Sequence, residues 1–378
     1  MKAYRSVRDP HGHWDCGIDE AVDLVVYFGA RSVLEASGCD GELKALFPQA
    51  HRMGASTGGQ IDGCNVSDDT IVAVAMAFDD TSLRFVTQDI AKALDSRECG
   101  QSIARALARP DLAGIYLLSD GLGVNGSQLV AGIADIIGDV PVAGGLAGDG
   151  AAFEKTVIGA NAEPVSNRIA AVGFYGDAIA LGYGSAGGWD VFGPRRTVTR
   201  SVGNVLLELD GEPALDLYRR YLGEEAEGLP GSALLFPLQI FDPAAPDHVT
   251  VRTVLSVDFD AKSMTFAGDI PEGFTAQLMR GQFERLSDGA GLAARSACKG
   301  PDFTDVRVAL LTSCIGRRLL MGQRIADELD AVGEALSGTG PVLGFYSYGE
   351  IAPLQTCRSA RLHNQTMTVL TIAERTAA

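Results

Sequence analysis

Residues 112–149 read LAGIYLLSDGLGVNGSQLVAGIADIIGDVPVAGGLAGD and carry the strongest structural signal in the chain. The apolar run Leu112 to Leu118 has the length and composition of a buried strand. Ser127 to Ile137 has the spacing of a short helix, and Pro141-Val142 opens a second strand rich in glycine and alanine. A strand, a helix and a strand in this order indicate an α/β protein.

The second half of the chain repeats this order of elements. A strand is predicted at Val306 to Thr312 and a long amphipathic helix at Arg317 to Leu336, before Pro341-Val342 opens another strand. In both halves a Pro-Val-x-Gly sequence leads within a few residues to an acid, Asp149 or Glu350. We therefore expect an internal duplication of one α/β unit, with each carboxylate after a strand, where open α/β sheets bind ligands.

The two halves are joined by a predicted helix, Pro213 to Leu222, and a turn-rich stretch, Gly223 to Gly231. We place the domain boundary between them, which gives domains at 1–222 and 223–378. The expected architecture is two-lobed, with mixed β-sheets flanked by helices.

The composition argues against several classes of protein. The 378 residues include 31 Lys plus Arg and 48 Asp plus Glu, for a formal net charge of −17. A field of that sign repels nucleic acid and anionic lipid. The seven cysteines form no CxxC pair, which argues against a disulfide framework and a structural zinc site. Residues 1–18 lack the apolar core of a signal peptide and no stretch is suited to span a membrane, so we expect a cytoplasmic protein without membrane insertion.

A dinucleotide-binding fingerprint is matched by Gly121-x-Gly123-x-x-Gly126, which follows a predicted strand and opens a helix. Its glycines would let backbone amides approach a pyrophosphate, and Asp149 lies in range of the acid that holds a ribose hydroxyl. Against this interpretation, the helix is short and the unit does not begin a regular β-α-β series. A nucleotide-binding α/β enzyme is therefore the alternative hypothesis.

The sequence Gly54-Ala55-Ser56-Thr57-Gly58 matches the G-x-S-x-G nucleophile elbow in its letters. An elbow needs a helix after the serine, whereas a turn-rich stretch and a strand follow here. We therefore expect either a tight loop or a nest in which Ser56, Thr57 and exposed amides bind a small polar ligand.

Polar side chains also precede the last predicted strand, at His363-Asn364-Gln365-Thr366. Such a run often satisfies buried backbone groups. Arg317 and Glu350, placed near one strand edge, could instead hold the two ends of an amino acid. Cys314 is either a reactive thiol at a helix N-terminus or a small buried hydrophobe.

Several of these motifs occur together in one order. They are Gly54-x-Ser56-Thr57-x-Gly59-x-Ile61, Pro141-x-x-Gly144-Gly145-x-Ala147-Gly148-Asp149, Phe236-Pro237-Leu238, Gly344-Phe345-Tyr346-Ser347-Tyr348-Gly349-Glu350 and Leu362-His363-Asn364-Gln365-Thr366. The ordered set resembles the FIST family, in its N-terminal and C-terminal regions, from about Ala21 to Glu374.

The resemblance implies a cytoplasmic sensory domain of bacterial signal transduction, with no catalysis of its own. The family is associated with small ligands such as amino acids, and one branch with haem and nitric oxide sensing. No phosphoacceptor, kinase or cyclase segment follows the motifs. The chain is thus similar to the stand-alone form, and we expect a separate partner, such as a histidine kinase or a diguanylate cyclase or phosphodiesterase.

We expect the ligand pocket to draw on both halves. The candidate ligand-binding residues are Ser56, Thr57, Gly59, Gly144, Gly145, Asp149, Arg317, Glu350, His363, Asn364 and Thr366. If haem is the cofactor, it is non-covalent because there is no CxxCH, and the candidate axial ligands are His51 and His363.

Overall fold

The computed structural model describes residues 1–18, 20–90, 95–229, 231–299, 306–353 and 358–375. Cys357, one of the seven cysteines, lies outside these ranges. The α-helices are α1 (Arg31–Ser37), α2 (Cys39–Leu46), α3 (Ser96–Leu107), α4 (Gly126–Ile137), α5 (Ala214–Leu222), α6 (Phe283–Ala297), α7 (Ile315–Met321) and α8 (Ile325–Ala335).

The first strands are β1 (Lys2–Arg8), β2 (Leu24–Gly29), β3 (His51–Ser56), β4 (Gln60–Asp62), β5 (Asn65–Ser67), β6 (Ile71–Ala77), β7 (Ser82–Asp89), β8 (Leu112–Ser119), β9 (Val142–Leu146), β10 (Ile158–Ala160), β11 (Arg168–Tyr175) and β12 (Ile179–Ala186). The others are β13 (Trp189–Val202), β14 (Val205–Leu209), β15 (Glu212–Pro213), β16 (Leu238–Phe241), β17 (Thr250–Arg252), β18 (Val254–Asp258), β19 (Ser263–Phe266), β20 (Thr275–Gly281), β21 (Val308–Cys314), β22 (Val342–Ser347), β23 (Gly349–Pro353), β24 (Ala360–His363) and β25 (Met367–Glu374).

One strand arrangement occurs three times along the chain. In residues 82–175, β8 and β9 are parallel and are joined by α4, β11 lies antiparallel on the other side of β8, and β7 pairs with β11. The same order appears as β1-β6-β2-β3 near the N-terminus and as β12-β25-β21-β22 near the C-terminus. We call these three sets of strands the first, second and third copies, and together they form the body of the protein.

Each copy also completes the sheet of another copy. The β4-β5 hairpin of the first copy pairs with β22 of the third, and the β23-β24 hairpin of the third pairs with β9 of the second. The second copy contributes β10, which pairs with β3 of the first. This cyclic exchange ties residues distant in sequence into one body.

The structure contains the predicted duplicated unit and a third copy that the sequence pattern did not reveal. The first copy lacks the Pro-Val sequence before its glycine-containing strand. Only the short helices α1 and α2 join its parallel strands. Such helices span about two turns each, so their apolar periodicity gives a weak signal.

The helix predicted from Arg317 to Leu336 is broken. Gly322 has φ 54°, in the left-handed region, and ends α7, and a 3₁₀ turn at Gly322–Arg324 leads into α8. Both helices bury an apolar face, with Met321 in one and Leu329 in the other. The apolar pattern therefore continues across the break and resembles that of one helix.

The inner faces of the three sheets meet in a central apolar core. Phe28 of the first copy stacks on Phe345 of the third with ring centroids 4.7 Å apart, and Leu118 of the second copy joins the same cluster. Helices cover outer faces of these sheets, so strands such as β2 are buried along their whole length.

A β-subdomain, residues 189–281, is inserted between β12 and α6 of the third copy. Its sheet has the order β17-β16-β20-β13-β14-β19-β18, and α5 packs on a separate core that includes Leu217 and Phe266. The α/β class with two lobes is thus confirmed, the lobes being the body and the β-subdomain. The proposed boundary after Leu222 falls within the β-subdomain, directly after α5, and stays a prediction about folding units.

None of the helices in the described ranges combines the length and the apolarity that crossing a bilayer requires.

Candidate functional site

Three turns, one from each copy, meet at the centre of the body. They follow β3, β9 and β22, in which Gly54, Gly144 and Gly344 hold the same position relative to the parallel neighbour strand. A ring of backbone hydrogen bonds joins them: Gly58 N to Tyr346 O at 2.7 Å, Gly148 N to Ser56 O at 2.8 Å, and Tyr348 N to Leu146 O at 3.1 Å. Much of the predicted site lies on or next to these turns.

The side chains of Ser56 and Thr57 are buried and bond to the backbone. Ser56 Oγ accepts a hydrogen bond from Val157 N at 2.9 Å. Thr57 Oγ1 accepts one from Gly59 N at 3.1 Å and donates to Gly29 O at 3.4 Å. Because Ser56 has no exposed surface, its hydroxyl is not placed to attack a substrate from solvent.

Gly144 and Gly145 allow neighbouring chains to approach closely. Gly144 has φ +138°, and a Cβ there would lie 1.8 Å from Leu117 O. A Cβ on Gly145 would lie 2.6 Å from Thr312 Cγ2. Both glycines therefore have a packing role between strands.

Asp149 organises the loop that follows β9. Its carboxylate accepts hydrogen bonds from the Tyr348 hydroxyl and from the backbone amides of Phe153, Glu154 and Lys155. Burial alone would raise the pKa of Asp149, but these hydrogen bonds outweigh it and hold the pKa below its ordinary value. Asp149 thus stays ionised and fixes Tyr348 and the Phe153 backbone.

Arg317 is fully buried and paired with Glu328, which is also buried. Arg317 Nη2 lies 2.5 Å from Glu328 Oε2, and Arg317 Nε donates to the same oxygen at 2.7 Å. The other guanidinium hydrogen bonds reach the carbonyls of Gly187, Leu286 and Gln365. Arg317 therefore ties the chain segments beside the β-subdomain to the body.

Glu350 lies in the same interior and has no exposed surface. Its carboxyl group accepts hydrogen bonds from Ser347 Oγ at 2.9 Å, Thr366 Oγ1 at 2.9 Å and Thr366 N at 3.1 Å. Burial raises the pKa of Glu350 to about 8, although these hydrogen bonds oppose the shift. The carboxyl group is therefore mostly protonated at neutral pH.

This protonation predicts a pH dependence of stability. Between the ordinary glutamate pKa and about 8, the folded state keeps a proton that the unfolded state releases. The contribution of Glu350 to the free energy of unfolding should therefore fall as the pH rises through this window, by at most about 1.4 kcal/mol per pH unit. Below pH 6.5 the lowered pKa of the buried His363 contributes a slope of the opposite sign. Glu350→Gln should therefore remove the falling slope in urea unfolding measured from pH 6.5 to 8. Parallel curves for the wild type and the variant would show that the idea is wrong.

The polar run before β25 is buried in the structure. His363 Nε2 lies 3.1 Å from Ala352 O, and burial lowers the pKa of His363 to about 4. The side-chain amides of Asn364 and Gln365 are buried without a hydrogen-bond partner in the part of the chain that the structure describes. Cys314, directly before α7, is buried, and burial raises the pKa of its thiol, which disfavours the reactive thiolate.

Neither candidate axial histidine has the surroundings of a haem ligand. His51 stacks on Phe85 with ring centroids 5.1 Å apart, and its Nδ1 lies 3.3 Å from Asn161 Nδ2. His363 is held against Ala352 O, as described above. Neither ring lines any of four well-formed cavities in the described part of the chain. The residues around them thus do not fit a haem, and no metal-binding cluster of His, Cys, Asp or Glu occurs in the described ranges.

The Gly121–Gly126 loop is not a free phosphate cradle. Asp120 Oδ1 accepts hydrogen bonds from Leu122 N at 2.9 Å and Gly123 N at 2.7 Å, and Gly121 N donates to Thr156 Oγ1 at 2.9 Å. A carboxylate thus takes the amides that would hold a pyrophosphate. The glycine spacing has a packing reason, since a Cβ on Gly121 would lie 1.9 Å from Ala147 O. These contacts give the nucleotide-binding alternative no support.

A cleft of about 320 Å³ separates this loop from the β-subdomain. We call it the Phe153 cleft, and it is lined by Gly121–Gly126, Leu146, Phe153, Tyr348, Asn204, Leu255 and Phe266–Gly268. Three of its apolar side chains are exposed to solvent, with Leu122 43%, Phe153 41% and Leu255 47% accessible. Exposed apolar side chains converging on one concavity are typical of a binding site.

Phe153 is held in an unusual backbone conformation at the rim of this cleft. Its φ is +53°, in a region where a bulky residue is rare. Its ring stacks on Tyr348 with centroids 4.4 Å apart, and its amide is fixed by Asp149. Strain of this kind persists only where the surroundings enforce it, and it is common at ligand sites.

The predicted site and the Phe153 cleft adjoin each other through Asp149. None of the predicted ligand-binding residues itself lines any of four well-formed cavities in the described part of the chain, of which the Phe153 cleft is one. Leu122, Phe153 and Leu255 were not predicted, because isolated apolar residues in a sequence resemble core residues. The sequence signal that could have indicated this cleft is an apolar residue between two glycines in a loop, as at Leu122.

Two family models match the chain. The FIST N domain matches residues 23–212, and the FIST C domain matches residues 214–353. The comparison with individually curated proteins found no significant match. FIST domains are associated with sensory signal transduction and small-ligand binding. Since the two models together cover most of its length, the chain belongs to the FIST family.

Proposed function

We propose that this protein is a sensor that binds a small amino-acid-like metabolite in the Phe153 cleft. The observation that carries the proposal is the convergence of Leu122, Phe153 and Leu255 on this cleft, where all three remain exposed. An apolar ligand side chain would cover them. Fully burying one such side chain is worth about 1.5–3 kcal/mol.

The polar groups of the cleft suit the backbone end of an amino acid. The amides of Val124 and Gly126 have no acceptor in the described part of the chain. The other amides of the loop are engaged, by Thr156, Asp120 and Ser96. The amides of Val124 and Gly126 are therefore available to a carboxylate. The cleft thus offers apolar walls with a few polar groups, as most small-molecule sites do.

Ligand binding would be reported through the β-subdomain. Leu255 belongs to the β-subdomain and Leu122 to the body, so a ligand touching both would change how they fit together. The two lobes are already linked beside the cleft, where Asp269 accepts hydrogen bonds from Asn125 Nδ2 at 2.7 Å and Gln128 Nε2 at 2.5 Å. We propose that a signalling enzyme, such as a histidine kinase or a cyclic-dinucleotide enzyme, reads this change.

A thermal-shift screen with the standard L-amino acids tests the ligand site. We expect at least one with an apolar side chain to raise the unfolding midpoint, since a ligand at 100 times its Kd adds roughly 2.7 kcal/mol to the folded state. Leu255→Gln should weaken its binding, measured by calorimetry, by about tenfold or more. Leu292→Gln changes an equally exposed leucine on α6 and should leave the affinity unchanged. Equal affinities for the two variants would contradict the proposed site.

A further inference from the structure

A second cavity, of about 360 Å³, lies between α4 and the β-subdomain. We call it the Arg252 cavity, and Ser127, His248, Arg252 and Arg361 are among its lining residues. Arg252 stands between this cavity and the Phe153 cleft, because a Cβ on Gly268 of that cleft would meet Arg252 Cζ at 3.0 Å. The two cavities are therefore neighbours with different walls.

Arg252 is a buried cation with no carboxylate partner in the described ranges. It is 7% exposed, and its guanidinium donates to the neutral carbonyls of Asp269 at 3.1 Å, Leu362 at 3.0 Å and Val251 at 3.3 Å. Its Nη2 has one acceptor among the described residues, Ser127 Oγ, at the long distance of 3.4 Å. Burial lowers the pKa of Arg252 to about 10, so the group is still charged at neutral pH. A buried charge of this kind gains strongly from an anion.

Arg361 adds a second guanidinium to the same cavity. Its side chain is exposed and makes no hydrogen bond or ion pair with any part of the described chain. Both arginines also affect His363. Burial is the main reason why the pKa of His363 is low, and the positive charges of the two arginines lower it further. Two positive charges therefore lie on the wall of the cavity nearest His363.

The two acids that line the cavity are already engaged. Both carboxylate oxygens of Asp269 are held, one by Asn125 Nδ2 and the other by Gln128 Nε2. Asp242 Oδ1 accepts a hydrogen bond from Ala244 N at 2.8 Å within its own turn. Neither acid forms an ion pair with Arg252 or Arg361 within the chain segments that the structure describes. The charge of Asp269 acts on Arg252 from a distance and partly opposes the lowering of its pKa by burial, but no carboxylate oxygen occupies the donors of either guanidinium.

We propose that the Arg252 cavity binds a small oxyanion, the carboxylate or phosphate group of a second ligand. Arg252 Nη2, Arg361 and the Ser127 hydroxyl are the donors that hold it. Because Ser127 belongs to α4 and Arg252 to β17, the anion strengthens the contact between the body and the β-subdomain. This site is separate from the Phe153 cleft and does not depend on the function proposed for it.

Calorimetry on the full chain tests the site with inorganic phosphate and, separately, with acetate, each at an ionic strength matched with chloride. We expect saturable binding of at least one of them, and the stronger of the two identifies the group that the cavity prefers. Arg361→Gln should weaken that binding by about tenfold or more. Because Arg361 is exposed and unbonded in the described structure, this variant should fold. Arg280→Gln changes another exposed arginine whose side chain makes no hydrogen bond or ion pair in the described chain, and it is the matched control.

Two results would overturn the site. One is the absence of binding by either anion beyond the chloride control. The other is an affinity that Arg361→Gln and Ser127→Ala both leave unchanged, which would place the bound anion elsewhere. Binding of L-amino acids to the Phe153 cleft is measured with different probes, so either proposal can fail without the other.

Discussion

Replacing Glu328 by Gln is expected to lower the free energy of unfolding by about 3–5 kcal/mol, because it leaves the charge of Arg317 buried without its ion-pair partner. Both side chains have no exposed surface, so water cannot compensate. The hydrogen bonds from Arg317 to Gly187, Leu286 and Gln365 also weaken if the guanidinium moves. Urea unfolding of the wild type and the variant measures the loss.

The double variant Arg317→Met, Glu328→Leu separates lost charge from lost packing. Replacing a buried pair by apolar residues of similar volume is often neutral or stabilising, so we expect it to be more stable than Glu328→Gln. A loss below about 1 kcal/mol in Glu328→Gln would show that Arg317 finds solvent or another partner, in conflict with its burial here. Such a result would favour the predicted ligand-binding role of Arg317.

Gly144→Ala is expected to destabilise the fold by more than about 3 kcal/mol, because two effects coincide at this residue. Its φ of +138° is one that residues with a Cβ rarely adopt, and the new Cβ would lie 1.8 Å from Leu117 O in the parallel neighbour strand. Relieving that clash requires β8 and β9 to separate next to the central ring of hydrogen bonds. Urea unfolding monitored by circular dichroism measures the change.

Gly38→Ala is the control for the backbone effect alone. Gly38 has φ 63° and ψ 33°, in the left-handed helical region, and no atom lies within 4 Å of the position of its Cβ. This variant should lose only about 1 kcal/mol. Equal losses for the two variants would mean that the close approach of β8 and β9 adds nothing to stability.

The parts of the fold that could be predicted from sequence are those with local signals. The strand, helix and strand at 112–146 are recognisable because an apolar run, a helical spacing and a Pro-Val start follow one another. The cyclic exchange of β4-β5, β10 and β23-β24 has no such signal, since these strands are short and their partners are distant in sequence. Only tertiary packing decides which sheet each of them joins.

The polar motifs of the candidate site allow two interpretations in sequence, and the structure shows a structural role for several of their side chains. Ser56, Thr57 and Thr366 bond to backbone or to Glu350, as expected where three turns meet in an interior that excludes water. A ligand-binding role for them stays a prediction. The Phe153 cleft could not be predicted because Leu122 and Leu255 lie far apart in sequence and meet only where the β-subdomain packs against the body.

Hydrogen exchange of the full chain, with and without the L-amino acid that raises the unfolding midpoint most, shows directly where the amino acid binds. If the Phe153 cleft is the ligand site, backbone amides at 121–126 and 255–268 should exchange more slowly with the amino acid bound, and the effect should be lost in Leu255→Gln but kept in Leu292→Gln. The Phe153 cleft is not the ligand site if no standard L-amino acid raises the midpoint, or if the slowed amides lie elsewhere in the chain.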